Sequence, residues 1–158
     1  MGNEIERKFL VCSEGWRDLA EGRRYRQGYL STHKARSVRV RTIGEKGYLT
    51  IKGPSKGITR AEFEYEIPLA DANAMLDTLC ERPLIDKIRF CIPFAGLTWE
   101  VDEFFGENAG LVVAEVELGD EAQRFERPAW VGREVSDDPR YFNASLIANP
   151  YQNWADNG

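Results

Sequence analysis

Acids and bases recur at every second residue in this chain, and they are sorted by sign. Glu4 and Glu6 stand two apart and are followed by Lys8. Arg39 and Arg41 form a basic pair, Lys52 stands alone, and Glu62, Glu64 and Glu66 form an acidic run. Lys87 with Arg89, Glu100 with Asp102, and Glu115 with Glu117 repeat the spacing. A spacing of two puts side chains on one face of a β-strand, roughly 6.6 Å apart. There, like charges repel by about 0.6 kcal/mol in bulk water but about 2.5 kcal/mol at an effective dielectric near 20. Such pairs cost little when solvated. Enclosed, they need partners: carboxylates suit a divalent cation such as Mg²⁺ or Mn²⁺, and Arg and Lys clamp phosphate oxygens. Acids and bases sharing one enclosure point to a polyphosphate with its metal ions, and to metal-assisted phosphoryl transfer.

The elements that would position these groups follow from the same period. Strands are predicted over 3–11, 23–32, 37–43, 48–52, 59–68, 84–94, 97–105 and 111–118, and each after the second sets an apolar face against one carrying charge. Gly44-Glu45-Lys46-Gly47 reads as a hairpin turn, and Gly28 marks a bulge or a close approach. Helices are predicted after Ser13, carrying Trp16 and Leu19 and closed by Gly22, and after Asp71, burying Ala72, Met75, Leu76, Leu79 and Cys80. A third runs from Asp138-Pro139 through Tyr141, Phe142, Leu146 and Ile147 to Asn149-Pro150. A short extended piece is expected around Trp130, within 128–135. The final residues are expected to fray. Short turns between strands favour antiparallel pairing. The class is mainly β, a barrel or sandwich with helical trim. Two readings of the charged faces stand. They are solvated, as in many antiparallel sheets, or they converge on the lumen of a barrel whose apolar faces pack outward. The segregation of sign favours the lumen.

Composition bounds the rest. With 158 residues the chain is one domain, 1–158, and 42% hydrophobic and 30% charged content describes a globular protein. A net charge of −5 argues against a general nucleic-acid binder, although 21 Lys and Arg leave room for local basic patches. Cys12, Cys80 and Cys91 have no metal-site or disulfide spacing, which suits a reducing cytoplasm. No leader and no apolar run near 18 residues is present, so neither secretion nor a membrane span is expected. The Gly53-Pro54-Ser55-Lys56-Gly57 loop lacks Walker spacing. His33, the single histidine, sits beside a turn, and no Ser-His-Asp set can be assembled.

Glu4-Ile5-Glu6-Arg7-Lys8 is the ExExK signature of the CYTH superfamily, the triphosphate tunnel metalloenzymes. The order that follows resembles that family over roughly residues 3–150: Arg39 and Arg41, Lys52, Glu62 and Glu64, Lys87 and Arg89, Asp102, then Glu115 and Glu117. Arg26-Gln27-Gly28-Tyr29-Leu30 and Arg140-Tyr141 resemble the small single-domain bacterial members. The resemblance implies an eight-stranded antiparallel β barrel forming a tunnel, with a few short helices. It implies metal-dependent hydrolysis of a triphosphate, most of all inorganic tripolyphosphate. Glu4, Glu6 and Glu117, with Glu115 beside them, would hold a divalent cation, Mg²⁺ or Mn²⁺. Glu62, Glu64, Asp102 and Glu115 would serve a second metal or orient the attacking water. Lys8, Arg39, Arg41, Lys52, Lys87 and Arg89 would bind phosphates. Tyr29 would lie near Lys8, and the last helix could cover one mouth. Glu66 and Glu100 share the inward parity with weaker support, and Arg60 is left unassigned. Class IV adenylate cyclase, thiamine triphosphatase and nucleoside triphosphatase are the enzyme alternatives, although the cyclase branch tends to carry His-Phe before ExExK and this chain does not. A non-catalytic polyphosphate-binding or nucleotide-binding module is the alternative of another class. The expected partner is a small triphosphate, without nucleic acid or membrane. A homodimer is left open.

Overall fold

In the computed structural model, which describes residues 2–154, the alternating segments become nine strands. Eight of them are β1 (Gly2–Val11), β2 (Gly22–Ser31), β3 (Ser37–Ile43), β4 (Lys46–Lys52), β5 (Thr59–Ile67), β6 (Ile85–Phe94), β7 (Leu97–Phe104) and β8 (Val112–Glu117). They pair antiparallel in the order β5-β4-β3-β2-β6-β7-β8-β1, and β1 pairs back onto β5. The expected eight-stranded barrel is therefore closed, and closure removes the free edges that an open sheet would leave. β9 (Val131–Glu134) lies along the far half of β1, with Phe9 opposite Glu134. It is the extended piece expected around Trp130. The expected fraying concerns residues 155–158, which lie outside the described residues.

Charged faces turn inward because the outer faces have apolar covers. Phe9, Trp99, Val101, Ala114 and Val116 point outward from β1, β7 and β8 and pack under Trp16, Trp130 and Phe125. On the other side, α1 (Leu69–Thr78) lays Ala72 and Leu76 over Val40, with Leu49 and Ile67 against them. That crossing is tight at Gly47, where an added Cβ would stand 2.7 Å from Ala72 Cβ. Gly28 serves the same side, since a Cβ there would meet Leu84 at 2.6 Å and Cys80 at 2.9 Å. The β2–β3 register also shifts between Tyr29 and Ser31, so the sequence signal marked both a close approach and a bulge.

Three helical expectations are corrected. Residues 13–20 form bends and turns rather than a helix, and Gly22 already opens β2. Trp16 is anchored there, edge-on to Phe90, with Ala20 beside the same cluster, while Leu19 is exposed, so there is no apolar stripe for a helix to bury. In α1 the N-cap position is Pro68, with Asp71 in the first turn, and Leu79 caps the C-terminus facing solvent. The last helix is broken. Asp138 does cap a turn, accepting from the Arg140 amide, but this 3₁₀ turn ends at Tyr141 and α2 spans only Ser145–Ala148. Phe142 between them is extended.

That broken segment closes part of the barrel. The C-terminal ends of β1 and β7 and the starts of β6 and β8 lie at one end. Leu10, Ile85, Phe104 and Val113 form an apolar ring there, filled by Tyr141, Leu146, Ile147 and Trp154.

Gly47→Ala forces β4 away from α1 and is expected to destabilise the fold by about 1–3 kcal/mol. A urea midpoint equal to that of the parent protein would show that the crossing is loose.

Candidate active site

Inside the barrel the two signs occupy different walls. β8, β1 and β5 are contiguous and carry Glu115, Glu117, Glu4, Glu6, Glu62 and Glu64, and β7 extends that wall with Glu100 and Asp102. Opposite them β3 brings Arg39 and Arg41, and β6 brings Lys87 and Arg89. The walls enclose a cavity of about 580 Å³. Every site residue read from the sequence lines it except Asp102, which is buried behind the wall. Seven carboxylates and eight Lys or Arg residues line the space, so its formal charges nearly cancel.

Neutrality is local as well as global. Lys52 Nζ lies 2.9 Å from Glu4 and 3.3 Å from Glu62. Lys8 Nζ bridges Glu115 at 2.8 Å and Glu6 at 3.2 Å. Arg39 and Arg41 both reach Glu64 Oε2, at 3.3 and 3.4 Å, and Thr50 donates to the same oxygen at 2.7 Å. Asp102 takes Arg89 Nε on one oxygen, and Lys87 Nζ and a second Arg89 nitrogen on the other, at 2.7–2.9 Å. Glu117 sits at the exposed end of β8 and pairs with no base among the described residues.

Protonation shows where this compensation falls short. Burial, and then the charge of Glu115, push the Glu6 carboxyl up to about 8. Burial also opposes the charge of Glu115, but Lys8, Arg89 and Lys87 outweigh it and hold that carboxyl well below the ordinary range. Burial raises Glu62 and Glu117, helped in each case by Glu4. For Glu4 and Glu64 burial is overcome, by Lys52 in one case and by Thr50, Arg41 and Arg39 in the other, and both lie low. Burial lowers Lys87 to about 8 despite Asp102, and burial with Arg39 and Arg89 lowers Arg41 to about 10. The Nε–H groups of Arg39 and Arg41 are buried with no acceptor among the described residues.

Some placements differ from the reading of the sequence. Tyr29 lines the cavity, but its ring belongs to the apolar ring at the closed end, and it makes no hydrogen bond to Lys8 among the described residues. Glu66 is exposed, whereas Glu100 lines the cavity and reaches Arg89 at 3.2 Å. Arg60 lines the cavity as well, held by the Gly53 carbonyl and Ser37 Oγ. Three participants escaped notice. Thr50 and Gln27 share the inward parity of their strands and were readable, although neither carries charge. Asn143 lies in irregular chain and gave no signal.

Comparison with known proteins agrees with the architecture. A family model of the CYTH domain matches residues 2–151. An inorganic triphosphatase of Acetivibrio thermocellus is 56% identical over 154 residues, covering 98% of this chain and 99% of that one. An inorganic triphosphatase of Nitrosomonas europaea is 36% identical, covering 90% of this chain and 95% of its own. A crystal structure of an inorganic triphosphatase superposes with a TM-score of 0.65 at 32% identity, over 93% of this chain and 95% of that one.

Asp102→Ala leaves two buried cations without their shared partner. The expected loss of stability is about 3–5 kcal/mol, read from chemical unfolding. A loss below about 1 kcal/mol would mean that Lys87 and Arg89 find water instead.

Proposed function

This chain belongs to the CYTH family, and we propose that it hydrolyses inorganic tripolyphosphate to phosphate and diphosphate, using Mg²⁺ or Mn²⁺. The observation that carries the reading is the pair of buried, unpartnered Nε–H donors of Arg39 and Arg41 on the basic wall. Buried donors of this kind call for acceptors, and phosphate oxygens match the guanidinium fork.

The acidic wall fits a divalent ion by its chemistry, since all its donors are hard carboxylate oxygens. Among the described residues no three acids stand together as a ready cage, because Lys8 and Lys52 are interposed between them. Metal alone would strand those lysines, and polyanion alone would strand the acids. A metal–triphosphate complex supplies both partners at once. Glu4, Glu6 and Glu117, with Glu115 adjacent, would hold the ion. When bound, it neutralises phosphate charge and activates water.

The residues of the chain do the remaining work. Lys52, Arg39, Arg41, Lys8, Lys87 and Arg89 hold the phosphates in line and stabilise charge as the bond breaks. Glu62 and Glu115 orient the attacking water or serve a second ion. Asp102, with cations on both oxygens, positions Lys87 with Arg89, and Glu64, with both guanidiniums on its Oε2, positions Arg39 with Arg41. Tyr29 borders the substrate from the closed end. A cytoplasmic setting belongs to the same proposal. No helix of the described residues is long and apolar enough to cross a membrane.

Phosphate release is to be measured from tripolyphosphate with Mg²⁺, with Mn²⁺ and with EDTA, beside ATP and thiamine triphosphate. Metal-dependent turnover of tripolyphosphate well above the other two is expected. Binding of tripolyphosphate without turnover would favour a binding module, and cyclic AMP from ATP would favour a cyclase. Glu6→Gln is expected to abolish turnover with circular dichroism unchanged, and Lys52→Ala to raise KM sharply with little effect on melting.

The Glu6 carboxyl gives a further prediction. Below about pH 8 it holds a proton that a metal ion must displace. Metal affinity should therefore rise with pH up to about 8 and then level, with proton uptake by the buffer on loading at pH 7. A metal activation constant that is flat from pH 6.5 to 9 would remove Glu6 from the metal site.

A further inference from the structure

The apolar plug carries one polar residue into the tunnel. Asn143 Oδ1 accepts from Lys87 Nζ and from Gln27 Nε2, each at 3.0 Å. Lys87 is donor-only and so holds the Asn143 amide with its oxygen inward, and the fully buried Gln27 turns its nitrogen to that same oxygen, leaving Gln27 Oε1 without a partner among the described residues. Lys87 Nζ is also held by Asp102 Oδ2 at 2.7 Å. Two of the three ammonium hydrogens are thus committed, and tetrahedral geometry sets the direction of the third.

The backbone is arranged for this contact. The chain leaves its 3₁₀ turn at Tyr141, extends at Phe142 and re-enters a helix at Ser145, which carries residue 143 inward. Its neighbours in the plug, Tyr141, Leu146 and Ile147, are buried for packing. Asn143, unlike them, is half-buried at the cavity wall. Asn143 spends its oxygen on a cation of the basic wall, and the residue itself lines the cavity.

We propose that Asn143 is a positioning residue for the hydrolysis. Together with Asp102 it aims the remaining N–H of Lys87 at the triphosphate, so the C-terminal segment completes the basic wall as well as covering it. The inference rests on the reading of Lys87 as a phosphate ligand.

The test is a double-mutant cycle on the full chain, with Asn143→Leu, Lys87→Met and the combination, scored by kcat and KM for tripolyphosphate and by melting without ligand. Asn143→Leu is expected to lower kcat/KM roughly ten- to hundredfold, and Lys87→Met at least as much. On the Lys87→Met background, adding Asn143→Leu should change kcat/KM by no more than about twofold. Losses that multiply would overturn the proposal, because Asn143 would then act on something other than Lys87. Should Asn143→Leu not fold, Asn143→Ala passes through the same cycle under the same criteria. A parent protein without tripolyphosphate turnover would sink the underlying function. Normal turnover by the Asn143 variant of an active parent would sink this inference alone.

Discussion

A charge taken out of water must meet an opposite charge or give up its own. Everything inside this barrel is arranged under that constraint. Lys52 lies between Glu4 and Glu62, Lys8 between Glu6 and Glu115, and Asp102 beneath Lys87 and Arg89. Where the match is incomplete the group shifts instead. Glu6 keeps a proton to about pH 8, and burial brings Lys87 down to the same value. Under the proposed function, these are the positions at which an incoming cation and an incoming anion would have most to offer.

The barrel makes such a cavity affordable by moving its hydrophobic core outside. Phe9, Trp99 and Val116 pack outward under the segments around Trp16 and Trp130, and Val40 packs under α1. An eight-stranded barrel has an interior wide enough for one small ligand. Here that interior is reserved for polar groups along most of its length and closed at one end by the apolar ring around Tyr141. Burial lowers the local dielectric, and the lower dielectric strengthens each ion pair of the buried walls.

Much of this was legible because a strand exposes both faces to inspection. Where Ile88 and Phe90 alternate with Lys87 and Arg89, the sequence states which side is which. The sorting of signs among strands then separated a lumen from a wet surface. Polar neutral residues were harder. Thr50 and Gln27 share the inward parity, yet nothing in a hydroxyl or an amide announces a partner. The helical expectations failed where one anchored ring stood in for a stripe, at Trp16, and where an inward turn at Phe142 broke the periodicity. Arg60 stayed ambiguous because its acceptors, the Gly53 carbonyl and Ser37, belong to loop and strand end. Only tertiary placement decides such a case.

The polarity of the two walls carries the chemistry further than any one residue. The strand order puts β8, β1 and β5 side by side, so the acids of three strands distant in sequence form one surface. Lys8 and Lys52 are the exceptions that keep this surface from repelling itself when empty. Under the proposed function they would turn away when a metal arrives, and the phosphate chain is what they would turn toward. Removing one partner of a buried pair costs several kcal/mol, so under the proposed function binding of either half of the ligand alone would work against the fold. Binding of both halves exchanges one set of ion pairs for another with little charge left uncompensated. Under the proposed function, the paired walls would therefore favour a metal–polyphosphate complex over a free cation or a free anion.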